Sequence, residues 1–454
     1  MIKNDKTQLI LNGDILKALL TLSIPIIINN FIQTLFNLVD SYWVGNISYV
    51  HFAATSFVWP VIFLFISLGI GISIAGTSLL SQLVGANKIK EAEDYASQII
   101  VVSVLAALSF TVIGYAISPY IISAMGADAE LAHLSNIYLR ITFLDLVFMF
   151  LYFNINSIMS AQGNTVTPTI LSAISAILNM ILDPIFIFTF NWGIAGAAWA
   201  TLVSRALLAI VGVFFLFSEG NKIKPSFRNF KFNKNILKDI LRVGFPSSIG
   251  SAGSAIGFMV LNGFVVSYGT ATLAAFGMVN RITSMVMQFS QGIGAALTSV
   301  VGQNIGANQY ERVTQAFHKA SKIAVNIGVV GCIILILLDN QLVDFFLQSK
   351  DDPSVVAQGI SFLRYISLSM PFLGLFSVFQ GLFQGSGNTK FSMGMEIGRL
   401  WFVRIPMILL FKYFTDVGAT GIWFSMSVSN LLVCVYGFII YRSERWKRSV
   451  IMNM

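Results

Sequence analysis

Asn179 and Asp183 stand four residues apart in the stretch LNMILDPIF (178–186), a spacing that puts both on one face of a helix. Their neighbours, among them Ile170, Leu171, Ile174, Ile177, Ile181 and Leu182, are apolar enough to cross a bilayer. An ionised side chain at mid-membrane costs roughly 2.5–3.5 kcal/mol on insertion scales, so function is the default reading of such a residue. A second carboxylate, Asp40, lies in an equally apolar run. Such a pair could take up and release protons, titrating as one coupled unit. Its oxygens could equally ligate Na⁺. A structural aspartate held by nearby amides and hydroxyls is the third reading.

Whatever positions these groups must be a membrane-spanning helical frame. Of 454 residues, 56% are hydrophobic and 11% charged, against about 25% charged in soluble chains. The class expected is an all-α polytopic membrane protein. Its net charge of +8 fits basic loops on one side of a membrane and does not call for nucleic acid. Cys332 and Cys434 fall in separate apolar runs, so no disulfide framework or metal site is expected. The run at 15–44 is too long for a cleaved signal peptide and reads as the first span.

Twelve such spans are expected, near 15–44, 52–80, 95–123, 131–160, 166–190, 194–218, 236–267, 272–302, 316–347, 357–384, 391–414 and 418–441. Lys3, Lys6, Lys88, Lys90, Lys222, Lys224, Arg228, Arg442, Arg445, Lys447 and Arg448 fall on one side, whereas Lys350 and Lys412 fall on the other. That asymmetry puts both termini in the cytoplasm.

The polar segment 219–235 reads as a linker between an N-terminal lobe (1–218) and a C-terminal lobe (236–454). A repeat supports the division. Asp14-Ile15-Leu16-Lys17 ahead of Pro25 returns as Asn235-Ile236-Leu237-Lys238 ahead of Pro246. Gln82-Leu83-Val84-Gly85-Ala86-Asn87 returns as Gln303-Asn304-Ile305-Gly306-Ala307-Asn308. Six spans is an even number, so the two bundles enter the membrane in the same direction, related by a pseudo-two-fold axis along its normal.

This topology assigns depths. Span 1 runs outward and carries Gln33, Asn37 and Asp40 towards its outer end. Span 5 also runs outward, with Asn179 and Asp183 in its outer half. Spans 4 and 6 run inward and put Tyr138 and Thr201 at a similar level, at 1.5 Å per residue. Carboxylates, an amide, a hydroxyl and a phenol thus converge in the outer half of one lobe. The other lobe has Leu261, Ile405 and Met426 at the matching places of Asp40, Asp183 and Thr201. Elsewhere, Glu396 and Arg399 at i and i+3 are expected to form a local ion pair.

The stretches LSIP (22–25), QTLFNLVDSYWVG (33–45), LNMILDPIF (178–186) and GAAWATL (196–202) resemble the multidrug and toxic compound extrusion (MATE) transporters, most closely the prokaryotic DinF-like branch. The resemblance covers nearly the whole chain. It implies a V-shaped, twelve-helix antiporter that exports organic cations or amphiphilic drugs against H⁺ or Na⁺. Carried over by motif, Asp40, Asn179, Asp183, Thr201 and Tyr138 match the proton or cation network, with Na⁺ at Asp40, Asn179, Asp183 and Thr201 as its variant. Pro25 matches the proline at which the first helix bends, Gln33 and Asn156 match polar cleft residues, and Arg281 matches a buried arginine of span 8.

Two departures stand out. Ser254 occupies the place of a glutamate found in span 7 of another branch. Asp145 is outside the family pattern, and it is open to three roles: proton relay, extra counter-charge for substrate, or ion-pair partner of Arg140 or Arg205. The resemblance further implies a monomer in a prokaryotic plasma membrane, with no cofactor beyond the coupling ion, no resident metal and no catalysis. The alternatives are a flippase for lipids or lipid-linked saccharides and, beyond transport, an intramembrane aspartyl-type enzyme.

Overall fold

A computed structural model describes residues 6–218, 220–228, 230–346, 353–447 and 451. Lys3, Lys350, Arg448 and the linker's first residue, Glu219, lie outside the described residues. Among those described, the chain is helical throughout with short connections. An N-terminal helix α1 (Lys6–Asn12) precedes the first pass, α2 (Ile15–Gly45). The lobe continues through α3 (Tyr49–Gly85), α4 (Ile89–Ala124), α5 (Ala129–Ala161), α6 (Val166–Pro184) with a π-turn (Ile185–Thr189), and α7 (Gly193–Leu216). The second lobe comprises α8 (Lys234–Val266), α9 (Thr270–Gly306), α10 (Tyr310–Leu337) and the short α11 (Asp339–Phe346). After these come α12 (Pro353–Leu368), α13 (Met370–Gly385), α14 (Thr389–Ile397), a π-segment (Gly398–Arg404), α15 (Ile405–Phe414) and α16 (Thr420–Arg442).

These helices make the twelve expected passes, three of them broken. The ninth ends at Leu337 and resumes as α11. The tenth bends by 49° between α12 and α13, where Pro371 at the second helix's start has no N–H to continue the ladder. The eleventh passes through the π-segment. Among the described residues nine helices are long and apolar enough to cross a membrane alone, or ten with the bent pair. A count of continuous apolar helices therefore falls short of the number of passes.

The repeated Gln-x-x-Gly-Ala-Asn motif has a physical purpose at the inner ends of α3 and α9. Asn87 and Asn308 take φ values of 59° and 58°, the left-handed conformation that closes a helix. Lys88 N and Gln309 N then donate to Leu83 O and Asn304 O, at 2.9 and 2.8 Å. Gly85 and Gly306 let the two helices cross: a methyl on either would lie 1.9 or 1.8 Å from the carbonyl oxygen of Gln303 or Gln82. The two glutamines complete a reciprocal clasp. Gln82 Nε2 donates to Gly385 O of the second lobe (3.0 Å), and Gln303 Nε2 donates to Ala161 O of the first (2.7 Å).

Further out the lobes are joined by Ser248 Oγ to Leu68 O (3.3 Å) and Gln288 Nε2 to Thr34 Oγ1 (3.3 Å). Phe31 stacks edge-on against Phe289 one turn from that last bond. The Gln288–Thr34 bond joins α9 to α2.

Exposed apolar faces meet lipid. On α6, Ile170, Ile174, Ile177 and Ile181 point outward, while Ser172, Ala176, Asn179 and Asp183 are buried. In the second lobe Arg404 is 2% exposed; its Nε and Nη2 donate to Ser429 Oγ and Asn430 Oδ1, both at 2.9 Å. Arg404→Ala strands both acceptors and opens a cavity. It is expected to cost about 2–4 kcal/mol, read as a lower thermal midpoint in detergent. Arg404→Lys, which lacks the planar fork, should recover only part of the loss.

Candidate functional site

The helical register of α6 turns Asn179 and Asp183 inward, and both are 0% exposed. Pro184 lacks the N–H that would continue the ladder, and the π-turn follows it directly; such turns are frequent at functional sites. Trp192 N donates to Phe186 O (3.1 Å), tying the π-turn to the start of α7. Thr201 is thereby brought against α6. Asn179 Nδ2 donates to Asp183 Oδ1 (3.1 Å) and to Thr201 Oγ1 (3.3 Å). Asp183 Oδ2, Asn179 Oδ1 and Asp40 Oδ1 are buried without a partner. Buried polar atoms are rarely left so, and all three are hard oxygens suited to a proton or Na⁺.

Beside this cluster is a cavity of about 560 Å³, within the range of drug-sized sites. Asp40, Gln33, Asn37, Tyr138, Asn156, Thr201 and Asp145 all line it. Tyr138 is within electrostatic reach of Asp40, Asp183, Asp145 and Arg205, and Asp183 is within reach of Asp40. The two carboxylates differ in access. Asp40 and Thr201 line the cavity, whereas Asp183 is fully buried and does not; it is linked to Thr201 through Asn179.

Asp145 resolves among its three readings as an ion pair with Arg205 Nη1. Arg140 is engaged elsewhere, donating to Ser118 Oγ (3.2 Å) and stacking 4.8 Å over Tyr115. Gln33 Nε2 donates to Ser172 Oγ (2.7 Å) and Thr169 Oγ1 to Pro25 O (2.9 Å), so α6 holds α2 at two levels. Asn156 accepts from Ser160 Oγ (3.3 Å).

Arg281 is a correction. It is exposed and is absent from the cavity wall, because it lies two turns outward of Gln288 on α9, beyond the last bond between α2 and α9. Glu396 and Arg399 are a second correction, since they make no ion pair. Glu396 Oε2 accepts from Ser254 Oγ (3.4 Å) and Arg399 stacks 4.5 Å over Phe376, while the two charges stay within electrostatic reach of each other. Arg205 and Ser172 are site residues that sequence reasoning did not place in the cavity. The available signal for Arg205 was its position one turn after Thr201. Among the described residues no three His, Cys, Asp or Glu are grouped to hold a metal ion.

In the second lobe Leu261, Ile405 and Met426, the sequence matches of Asp40, Asp183 and Thr201, are all buried. A single two-lobed helical frame with a polar site in one lobe is thus in place, and a family model matches across both halves: MatE, at residues 25–185 and 246–410. The chain belongs to the MatE family. A Bacillus subtilis (strain 168) chain, "Probable multidrug resistance protein YpnP", is 29% identical over 438 residues, covering 96% of each chain. Among solved structures, one described as the "Outward-facing conformation of a multidrug resistance MATE family transporter of the MOP superfamily" superposes with a TM-score of 0.90 at 28% identity, covering 98% of each chain. Another, from Pyrococcus furiosus Vc1 (DSM3638), has a TM-score of 0.92 at 27% identity over 99% of this chain and 100% of that one; its description reads "Reverse polarity of binding pocket suggests different function of a MOP superfamily transporter". This MatE protein is therefore a membrane transporter and not an enzyme.

Proposed function

We propose that this MatE protein is a secondary-active exporter of organic cations and amphiphilic drugs, driven by H⁺ or Na⁺ through Asp40, Asn179, Asp183, Thr201 and Tyr138. The observation that carries the reading is the difference between the lobes: an Asn179–Asp183–Thr201 cluster adjoins an Asp40-lined cavity in one, while Leu261, Ile405 and Met426 stand at the matching places in the other. Multidrug export is named for the relatives, and it fits a cavity in which Phe36, Phe52, Met149 and Phe153 share the wall with many polar side chains. The protein works as a monomer in a prokaryotic plasma membrane with both termini in the cytoplasm.

In this reading the lobes 1–218 and 236–454 rock about their inner contact. Outward-facing, the coupling ion enters the cavity and neutralises Asp40 and Asp183. The exported cation loses its counter-charge and leaves. The change of charge reaches α2 through the Thr169–Pro25 and Gln33–Ser172 bonds, and Pro25, which lacks the N–H to continue the ladder, is the position at which α2 would bend. A ligand shifts such an equilibrium only by its different affinity for the two states, so the ion binds the outward-facing form more tightly. The membrane potential adds about 2.3 kcal/mol per charge per 100 mV.

A flippase for pyrophosphate-linked lipids would need uncompensated cations in its cavity. Here the lining has Asp40 and Asp145 against Arg205, which favours cationic cargo. The test is transport of a fluorescent cation by proteoliposomes under a pH gradient and, separately, a Na⁺ gradient. One gradient should drive uptake against concentration and the other should not. Transport that ignores both gradients would overturn ion-coupled export.

A further inference from the structure

The Asp145–Arg205 pair has no part in the coupling scheme, yet it lies in the wall of the same cavity. Its two halves are not equally hidden. The Asp145 side chain is 4% exposed and its Oδ1 is buried without a partner, while the Arg205 side chain is 24% exposed. Only Nη1 of Arg205 is committed, to Asp145 Oδ2. Arg205 itself lines the cavity, and none of its nitrogens is a buried atom lacking a partner. A pair serving only to hold α5 to α7 would gain nothing by presenting its cation to the lumen. A guanidinium offers five N–H donors in a fixed fork that matches a carboxylate, and here most of that fork is free.

Depth adds a second constraint. Arg205 is one turn further along α7 than Thr201, about 6 Å deeper at 1.5 Å per residue. The cavity therefore has a negative group at its outer level, Asp40, and an available positive group about one helical turn below. Met149, Phe153 and Leu208 also line it, giving an apolar surface for a ring system.

We propose that Arg205, held forward by Asp145, is an anion subsite that takes the carboxylate of a zwitterionic amphiphile whose cationic end lies at the level of Asp40. The inference rests on the cavity being the substrate site, as argued above. It gives a carboxylate carried beside the positive charge a defined place in the cavity wall.

The test uses two dyes of one skeleton: rhodamine 110, with a free carboxylate, and rhodamine 123, its cationic methyl ester. Their dissociation constants for the purified full-length protein are measured by fluorescence anisotropy. The readout is the ratio of the acid's Kd to the ester's. The uncharged pair Asp145→Asn with Arg205→Gln should raise that ratio by about tenfold or more. Asp145→Asn alone frees the guanidinium and should lower the ratio. Arg205→Lys, with its charge but no fork, should fall between parent and the uncharged pair. A ratio that does not move in the double variant, or that rises in Asp145→Asn as it does in the double variant, overturns the anion subsite. Each comparison is a ratio within one protein preparation, so a general loss of folded material cannot imitate it. Failure of the parent to bind the ester sinks the substrate-cavity reading itself and the subsite with it; ester binding with an unmoved ratio sinks the subsite only.

Discussion

Asp183→Asn in reconstituted protein is expected to abolish ion-driven accumulation of a fluorescent cation while leaving the protein folded. The substitution keeps the side chain's shape and its carbonyl acceptor for Asn179 Nδ2, now 3.1 Å from Asp183 Oδ1. What it removes is the ability to change charge. A hydrogen bond to a charged group contributes about 1.5–3 kcal/mol, so an ion or cargo that depends on that charge loses roughly ten- to a hundredfold in affinity. Asp40→Asn should have a comparable effect on transport by a different route. Asp40 faces the cavity, and its loss should weaken cation binding in the absence of any gradient. Asp183 is enclosed, and its loss should affect coupling more than binding. Equilibrium binding of the cation to both variants, set beside gradient-driven uptake, separates the two roles. Parental uptake by both variants under either gradient would end the proposal.

The second large effect is expected at the inner apex. Gly85→Ala with Gly306→Ala should force the inner ends of α3 and α9 apart. A methyl at these positions would meet a carbonyl oxygen at 1.9 and 1.8 Å, far inside the 3.5–4.0 Å of favourable van der Waals contact. Backbone must move, and the Gln82–Gly385 and Gln303–Ala161 bonds break with it. Each such bond contributes about 0.5–1.5 kcal/mol net. Two conformations a few kcal/mol apart can exchange their order on that scale. Spin labels at Lys90→Cys and Glu311→Cys, both exposed just beyond the clasp, should report a longer inner-face distance in a background lacking Cys332 and Cys434. Gln82→Ala with Gln303→Ala, which removes the bonds without the clash, should move the distribution the same way by less. Unchanged distances in both double variants would mean that the clasp does not hold the two lobes together at that end.

Much of this was legible before any fold was drawn. The spans follow from hydropathy. Their direction follows from basic loops, and the two-fold plan follows from motifs recurring at one offset. Asn179 and Asp183 share a face because helical periodicity alone dictates it. The asparagines that end α3 and α9 could be read in the same local way, since a left-handed helix stop depends on one residue and its immediate neighbours.

Tertiary structure decided the rest, and for one physical reason. In a bilayer, lipid and protein interior are equally apolar, so a hydrophobic pattern cannot say which way a helix is rotated. Packing between distant segments decided that Asp40 lines the cavity while Asp183 is fully buried and linked to Thr201 through Asn179. It gave Asp145 to Arg205, sixty residues away, rather than to the nearer Arg140. It left Arg281 exposed on a helix whose two turns further in press against α2. It also gave Glu396 and Arg399 direct contacts with Ser254 and Phe376 rather than with each other. Residue types and spacing determined that charge would be placed inside this membrane protein; only the packing of α2, α5, α6 and α7 determined which of those charges a passenger can touch.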